Sequence, residues 1–231
     1  MKGIVVILLI IAVIAIGVII DATYQLLQLN KPQKTYKQEN KEINKPDRAH
    51  LKGKYGEEYI INLLGKTIPW QRYLVNNVII TDKNGNSNQI DHVFINSNGI
   101  FVIETKNYSG TIYGNDYQKE WTQVFNYGKQ KFKFYNPILQ NKKHTSKLIE
   151  ATKTKLPIKS IVVFTNNKID KIESKSVYTP KDMIYEINAR FDEKITPKEM
   201  DDFYNLLMQI KNNQISDDEH IENVKRVKKT I

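Results

Sequence analysis

The feature that most constrains the fold is a pair of apolar runs on either side of the turn sequence Asn96-Ser-Asn-Gly99. Gln89 to Asn96 and Ile100 to Asn107 are rich in β-branched residues and have the length of strands. A third run, Arg72 to Thr81, precedes them and is separated from Gln89 by a cluster of turn residues. We therefore predict three consecutive antiparallel strands.

The register of the second and third strands follows if Asn96 to Gly99 form a four-residue loop. Asp91 then lies directly opposite Glu104. Side chains alternate between the faces of a sheet, and directly opposed residues share a face. One end of a single, otherwise apolar face therefore carries Gln89, Asp91, Glu104 and Lys106.

Two opposed carboxylates repel each other and resist desolvation unless they share a cation or a proton. Mg²⁺ suits them, with Mn²⁺ as the alternative, because Mg²⁺ prefers oxygen ligands and keeps several waters. We predict that Asp91, Glu104 and the backbone carbonyl of Thr105 hold the metal and leave room for a phosphate. Lys106 either orients and helps deprotonate the attacking water or neutralises charge that develops on the phosphate.

A third acid comes from the first helix. Leu51 to Leu64 carries apolar residues at helical spacing. Glu57 precedes Ile60, Ile61 and Leu64 by three, four and seven residues, so the helix presents its carboxylate on the buried face. We predict that Glu57 reaches the same site.

The rest of the body alternates between strand and helix patterns. Trp121, in a short strand, is expected to pack in the core rather than to stack on a base. The predicted elements are short strands at Thr111 to Tyr113 and Trp121 to Phe125, a helix from Pro137 to about Lys155, a buried strand at Ile158 to Thr165, and a capped helix from Thr196 to about Lys211. This pattern predicts an α/β (mixed α+β) fold, with a central mixed sheet flanked by helices.

Several of these segments together resemble a known family, the nuclease-related domain (NERD), a branch of the PD-(D/E)xK nuclease superfamily. The matching segments are Gly53-Lys-Tyr-Gly-Glu57, Gln89-Ile-Asp91-His, Gly99 to Gly110, Trp121, and Asn136-Pro-Ile-Leu-Gln140. The resemblance implies a restriction-endonuclease-like core. It also implies that Asp91 and Glu104 bind metal, that Lys106 is the catalytic lysine, that Glu57 is the helix-borne acid, and that Gln140 is an auxiliary polar residue near the phosphate.

The N-terminus is apolar without interruption from Gly3 to Ile20, at the short end of the length that spans a bilayer as a helix. A cleaved signal peptide is the competing interpretation, but the run is longer than a typical signal core and no clear cleavage site follows it. We favour a retained transmembrane signal-anchor. Lys31, Lys34 and Lys37 follow it and favour a single-pass protein of the cell membrane with its C-terminal body in the cytoplasm.

The predicted organisation is a transmembrane signal-anchor (1–22), a polar tether (23–49), the nuclease-like domain (50–166), an extension that packs on it (167–215) and a charged tail (216–231). The net charge of +10 favours a polyanionic partner, either nucleic acid or anionic lipid. The absence of cysteine excludes disulfides and thiolate metal sites.

Together these features predict a membrane-anchored, metal-dependent nuclease that hydrolyses phosphodiester bonds, with DNA as the first substrate to test. The alternative is a non-catalytic, membrane-tethered protein that binds nucleic acid or acts as a scaffold. The acid pair favours the enzyme, because basic residues alone would suffice for binding.

Overall fold

A computed structural model of the chain describes residues 45–66, 72–165, 169–189 and 194–229. The predicted anchor and most of the predicted tether lie outside these residues. The first helix begins at Lys45, so the last residues assigned to the tether are helical. Within the described ranges, none of the helices has the length and apolar character needed to cross a membrane.

The chain folds into five α-helices and nine strands over the described residues. The strands are β1 Tyr73–Thr81, β2 Ser87–Asn96, β3 Gly99–Lys106, β4 Thr111–Asn115, β5 Glu120–Phe125, β6 Gln130–Tyr135, β7 Ile158–Phe164, β8 Ile172–Glu173 and β9 Val177–Tyr178. The helices are α1 Lys45–Lys66, α2 Pro137–Thr152, α3 Pro180–Asn188, α4 Pro197–Asn212 and α5 Asp217–Lys229.

The first sheet has five strands in the order β1-β2-β3-β7-β9. Its first three strands are antiparallel, as predicted, whereas β7 and β9 run parallel to their neighbours. The predicted register is confirmed, because Ile95 pairs with Ile100. Gly99 closes the hairpin with a φ of 127°, and a Cβ there would lie 2.9 Å from the carbonyl oxygen of Pro157, so only glycine fits this position.

The expectation of one central mixed sheet was incomplete, since the described residues form two mixed sheets. The second sheet has four strands in the order β6-β5-β4-β8. The predicted short strands belong to it as β4 and β5, which pair with each other. Strand β5 also pairs with β6, a strand that was not predicted. Trp121 is fully buried, which agrees with its predicted packing role. A Cβ on Gly114 would lie 2.3 Å from the Trp121 ring, so the glycine makes room for the indole.

Helices α2 and α4 cover the apolar face that carries Val93 and Val102. Leu148 of α2 and the α4 residues Phe203 and Leu207 are buried in one cluster with these valines. Both helices have N-terminal caps, as predicted for α4. Asn136 caps α2 before a proline, and Thr196 and Glu199 form the capping box of α4.

The C-terminal tail is helical over the residues that the structure describes. Helix α5 contacts β2, where the Ser87 Oγ lies 2.7 Å from the His220 Nδ1. Most side chains of α5 remain exposed. The tail therefore borders the first sheet without adding to its core.

Candidate functional site

Asp91 and Glu104 lie beside each other at the end of the β2–β3 hairpin. The antiparallel ladder extends to the pair His92 and Ile103, which makes Asp91 and Glu104 the next opposed residues. The backbone N–H of Thr105 donates to the Asp91 Oδ2 at 2.8 Å. Glu104 is only 2% exposed. The ladder therefore brings together two acids that the sequence analysis placed together from alternation alone.

Lys106 completes a polar cluster on this face. Its Nζ lies 2.5 Å from the Glu104 Oε1, and its side chain is 14% exposed. The same Nζ donates to the Gln140 Oε1 at 3.2 Å. Gln140 is in the first turn of α2, so the Asn136 cap that starts this helix also sets the position of the amide.

Helix α1 approaches closely enough to bring Glu57 to the same place. A Cβ on Gly56 would lie 2.7 Å from the Asn107 Cβ, so glycine permits the close crossing of α1 and the residue after β3. The Asn107 Nδ2 donates to the Lys52 carbonyl oxygen at 2.6 Å and ties the two segments together. This contact holds Glu57 over the end of β3.

All the predicted site residues line one cavity of about 480 Å³. Its wall is formed by the middle of β2, the end of β3 and the two residues after it, one side of α1, the start of α2 and one residue of β5. The predicted residues that line it are Glu57, Asp91, Glu104, Thr105, Lys106 and Gln140. Six further lining residues were not predicted as site residues: Ala49, Lys52, Gly53, Asn107, Tyr108 and Gln123.

The cavity contains more negative than positive groups close to the acid pair. Burial, and then the charge of Glu104, raises the pKa of Asp91 well above its usual value. Burial and Glu104 also raise the pKa of Glu57. Burial acts to lower the pKa of Lys106, but Glu104 and Asp91 outweigh it and the pKa rises. Lys106 therefore carries its charge, and three carboxyl groups face one ammonium.

The two carboxylates offer ligands that suit a hard divalent cation. The Glu104 Oε2 is buried and has no hydrogen-bond partner in the described part of the chain. The described residues contain no group of three His, Asp or Glu side chains that could hold a metal, so they form no cage of side chains. Mg²⁺ is usually bound by one or two carboxylates together with waters and substrate phosphates. Asp91 and Glu104 fit an ion held in that way.

His92 lies on the face of the hairpin opposite to Asp91 and does not line the cavity. Its Nδ1 lies 2.8 Å from the Asn76 Oδ1, and its Nε2 lies 3.1 Å from the Thr105 Oγ1. Burial lowers the pKa of His92 to about 4, so the ring is neutral near pH 7. Because its hydroxyl bonds to this ring, Thr105 has only its backbone left to offer the cavity.

Residues 52–165, about half of the chain, match the family model of the nuclease-related domain. The chain contains a nuclease-related domain. An uncharacterized protein of Bacillus anthracis is 40% identical to it over 114 residues, which are 49% of this chain and 52% of that protein. The chain therefore spans about half the length of the curated relative that it matches. No solved structure matches the chain.

One residue of the nuclease-related domain, His144, lies at the site although it was not among the predicted site residues. The His144 Nε2 lies 3.5 Å from the Glu104 Oε2, and its side chain is 8% exposed. Burial lowers the pKa of His144, although Glu104 acts in the opposite direction. The available signal was its position one helical turn after Gln140, but a lone histidine on a helix is usually a packing residue.

Asn141 is a second residue of the nuclease-related domain that sequence reasoning missed. It is fully buried, and its Nδ2 donates to the carbonyl oxygens of Val102 and Ile161 at 2.8 and 2.9 Å. These carbonyls belong to the adjacent parallel strands β3 and β7. Asn141 therefore fixes α2 to the sheet directly beside Gln140.

Proposed function

We propose that the nuclease-related domain hydrolyses phosphodiester bonds of nucleic acid, and of DNA first, in a reaction that depends on Mg²⁺ or Mn²⁺. The observation that carries the proposal is the acid pair in the cavity. Glu104 is buried beside Asp91, and its Oε2 lacks a hydrogen-bond partner among the described residues. Burial and the charge of Glu104 both oppose ionisation of Asp91, so a divalent cation would stabilise the pair.

Each residue has a proposed role that follows from its position. Asp91, Glu104 and the Thr105 carbonyl would hold the ion, which when bound would act as a Lewis acid toward the phosphate. Lys106 places an ammonium beside the acids and stabilises negative charge that develops on the phosphate. Gln140 accepts a hydrogen bond from this ammonium and restrains it.

Glu57 is the proposed proton acceptor. Its carboxyl group lines the cavity, and burial raises its pKa above that of an exposed glutamate, toward neutral pH. A general base works best when its pKa lies near the working pH. Glu57 therefore accepts a proton from the water that attacks the phosphate.

We also propose that residues 1–22 anchor the chain in the cell membrane with the nuclease-related domain on the cytoplasmic side. The apolar run from Gly3 to Ile20 and the lysines after it support this arrangement. In cells, alkaline extraction should leave the full chain in the membrane fraction. Release of the full chain into the soluble fraction would contradict the anchor.

The direct test of the enzyme uses the full chain in mild detergent with supercoiled plasmid, single-stranded DNA and single-stranded RNA. Cleavage should occur with Mg²⁺ or Mn²⁺ and stop with EDTA. Asp91→Asn and Lys106→Met should each lower the rate by about a thousandfold, the size expected when a principal electrostatic group is lost. Lys142→Met, a change of an exposed lysine on α2, is the matched control and should keep the parent rate.

Two results would count against the proposed enzyme. Cleavage that Asp91→Asn and Lys106→Met leave unchanged would come from another site or from a contaminating nuclease. Binding of nucleic acid without cleavage under every condition would identify a tethered binding protein instead.

A further inference from the structure

The face that forms the catalytic cavity continues onto the β5–β6 hairpin. Gln123 of β5 lines the cavity, and its Nε2 donates to the Ser109 carbonyl oxygen at 2.6 Å. Gln123 pairs with Phe132 of β6, and directly opposed residues share a face of the sheet. Phe132 is 55% exposed. An apolar ring therefore lies beside the cavity and remains open to solvent.

The turn of this hairpin displays a second aromatic ring. Asn126, Tyr127 and Gly128 all have left-handed backbone conformations, with φ values of 49°, 55° and 95°. Such a conformation is uncommon for a bulky residue and often marks a functional position. Tyr127 is fully exposed. The turn thus holds a tyrosine ring in solvent at the end of the hairpin that carries Phe132.

Basic residues occupy the other side of the same strand. Strand β6 is at the edge of the second sheet. Lys131 and Lys133 are exposed and alternate with Phe132, so their side chains leave from the opposite face. Lys133 lies 3.8 Å from Glu120, and Lys129 adds another exposed ammonium next to the turn. The edge strand therefore has the Phe132 ring on one face and lysines on the other, and the turn beside it exposes the Tyr127 ring.

We propose that the β5–β6 hairpin binds a single-stranded segment of nucleic acid and leads it into the cavity. Bases stack on Tyr127 and Phe132, while phosphates contact Lys129 and Lys131. Proteins that bind single strands combine these two features, since stacking tolerates any base and lysines follow the backbone. The identity of the polymer rests on the proposed function of the cavity. Continuity with the cavity through Gln123 favours nucleic acid over a lipid surface.

Fluorescence anisotropy of a labelled oligothymidylate and of a blunt duplex, with the full chain in detergent micelles and EDTA, tests the proposal. Tyr127→Ala and Phe132→Ala should each weaken binding of the single strand by about tenfold, as expected for the loss of one stacked base. Duplex binding should change much less. Tyr185→Ala, which removes an exposed tyrosine from α3, is the control and should bind like the parent. Tyr127→Trp should restore the affinity, because it keeps a stacking surface.

The salt dependence tests the lysines separately. Lys131→Ala should reduce the slope of log K against log salt by about 0.7, the value for one phosphate contact on a single strand. An unchanged slope would show that Lys131 does not contact a phosphate.

Two outcomes would overturn the hairpin's role. One is binding of the oligothymidylate by the Tyr127→Ala and Phe132→Ala variants as tightly as by the parent. The other is that these variants lose binding to vesicles of phosphatidylglycerol and phosphatidylcholine but still bind the oligothymidylate like the parent. That result would assign the hairpin to the membrane. Because EDTA separates binding from turnover, a chain that binds through the hairpin but never cleaves contradicts only the proposed enzyme. If the parent cleaves normally and the hairpin variants bind the oligothymidylate as tightly as the parent, only this inference is contradicted.

Discussion

The two sheets differ in how they are built and in what they contribute to the cavity. In the first sheet, β2 and β3 are long, adjacent in sequence and mostly buried, and they carry Asp91, Glu104 and Lys106. In the second sheet the strands are shorter and more exposed, and Gln123 is its contribution to the cavity. The buried β2–β3 hairpin holds the chemical groups in fixed positions, whereas the more exposed β5–β6 hairpin leaves its side chains accessible to a large substrate.

The largest expected change in stability comes from the residue that joins the two sheets. The Trp121 ring stacks on Phe164 of β7 at a centroid distance of 6.2 Å. Trp121→Ala should lower the free energy of unfolding by about 3 to 5 kcal/mol, because it removes a fully buried indole. Phe132→Ala, an exposed change in the same sheet, should cost less than about 0.5 kcal/mol. Urea unfolding followed by circular dichroism measures both, and equal losses would show that the sheets are not joined through Trp121.

A smaller loss is expected in the first sheet from Asn141→Ala. The substitution leaves the carbonyls of Val102 and Ile161 without the hydrogen bonds that Asn141 donates. An unsatisfied buried group costs about 1 to 3 kcal/mol, so we expect a loss of about 2 kcal/mol in urea unfolding. Its exposed neighbour provides the control Lys142→Ala. A loss below about 0.5 kcal/mol would mean that Asn141 does not fix α2 to the sheet.

The third expected change in stability has the opposite sign and lies in the cavity. The folded-state pKa of Asp91 is raised, so at neutral pH its ionised form opposes folding. Asp91→Asn keeps an acceptor for the Thr105 N–H and removes the charge. It should raise the free energy of unfolding in the absence of divalent cations, as urea unfolding measures, because burial and Glu104 oppose the charge that the substitution removes. Glu222→Gln, an exposed change on α5, is the control, and destabilisation by Asp91→Asn would contradict an unfavourable acid pair.

The β2–β3 hairpin was predictable because its pairing is local and its alternation is strict. Ile95 and Ile100 set the register, and a slip of one residue would have moved every side chain to the other face. The position of the acids therefore followed from the sequence. Glu57 also followed, because helical spacing placed it on the buried side of α1.

The second sheet was not predictable in the same way. Strand β6 has the sequence Gln130-Lys-Phe-Lys-Phe-Tyr135, with exposed side chains on both faces, so it lacks the buried apolar face that identifies a strand. Strand β8 has only two residues and pairs with β4 across a long stretch of sequence. The roles of His144 and Asn141 could not be predicted from the sequence either, because they depend on how α2 packs on β3 and β7.

The most direct measurement is Mn²⁺ binding to the full chain, followed by electron paramagnetic resonance. The parent and Glu222→Gln should bind the ion, whereas Asp91→Asn and Glu104→Gln should lose this site. Lys106→Met should retain it, because the lysine acts on the phosphate and its ammonium opposes the cation. Equal Mn²⁺ binding by the parent, Asp91→Asn and Glu104→Gln would contradict a cation site at the acid pair and, with it, the proposed metal-dependent nuclease.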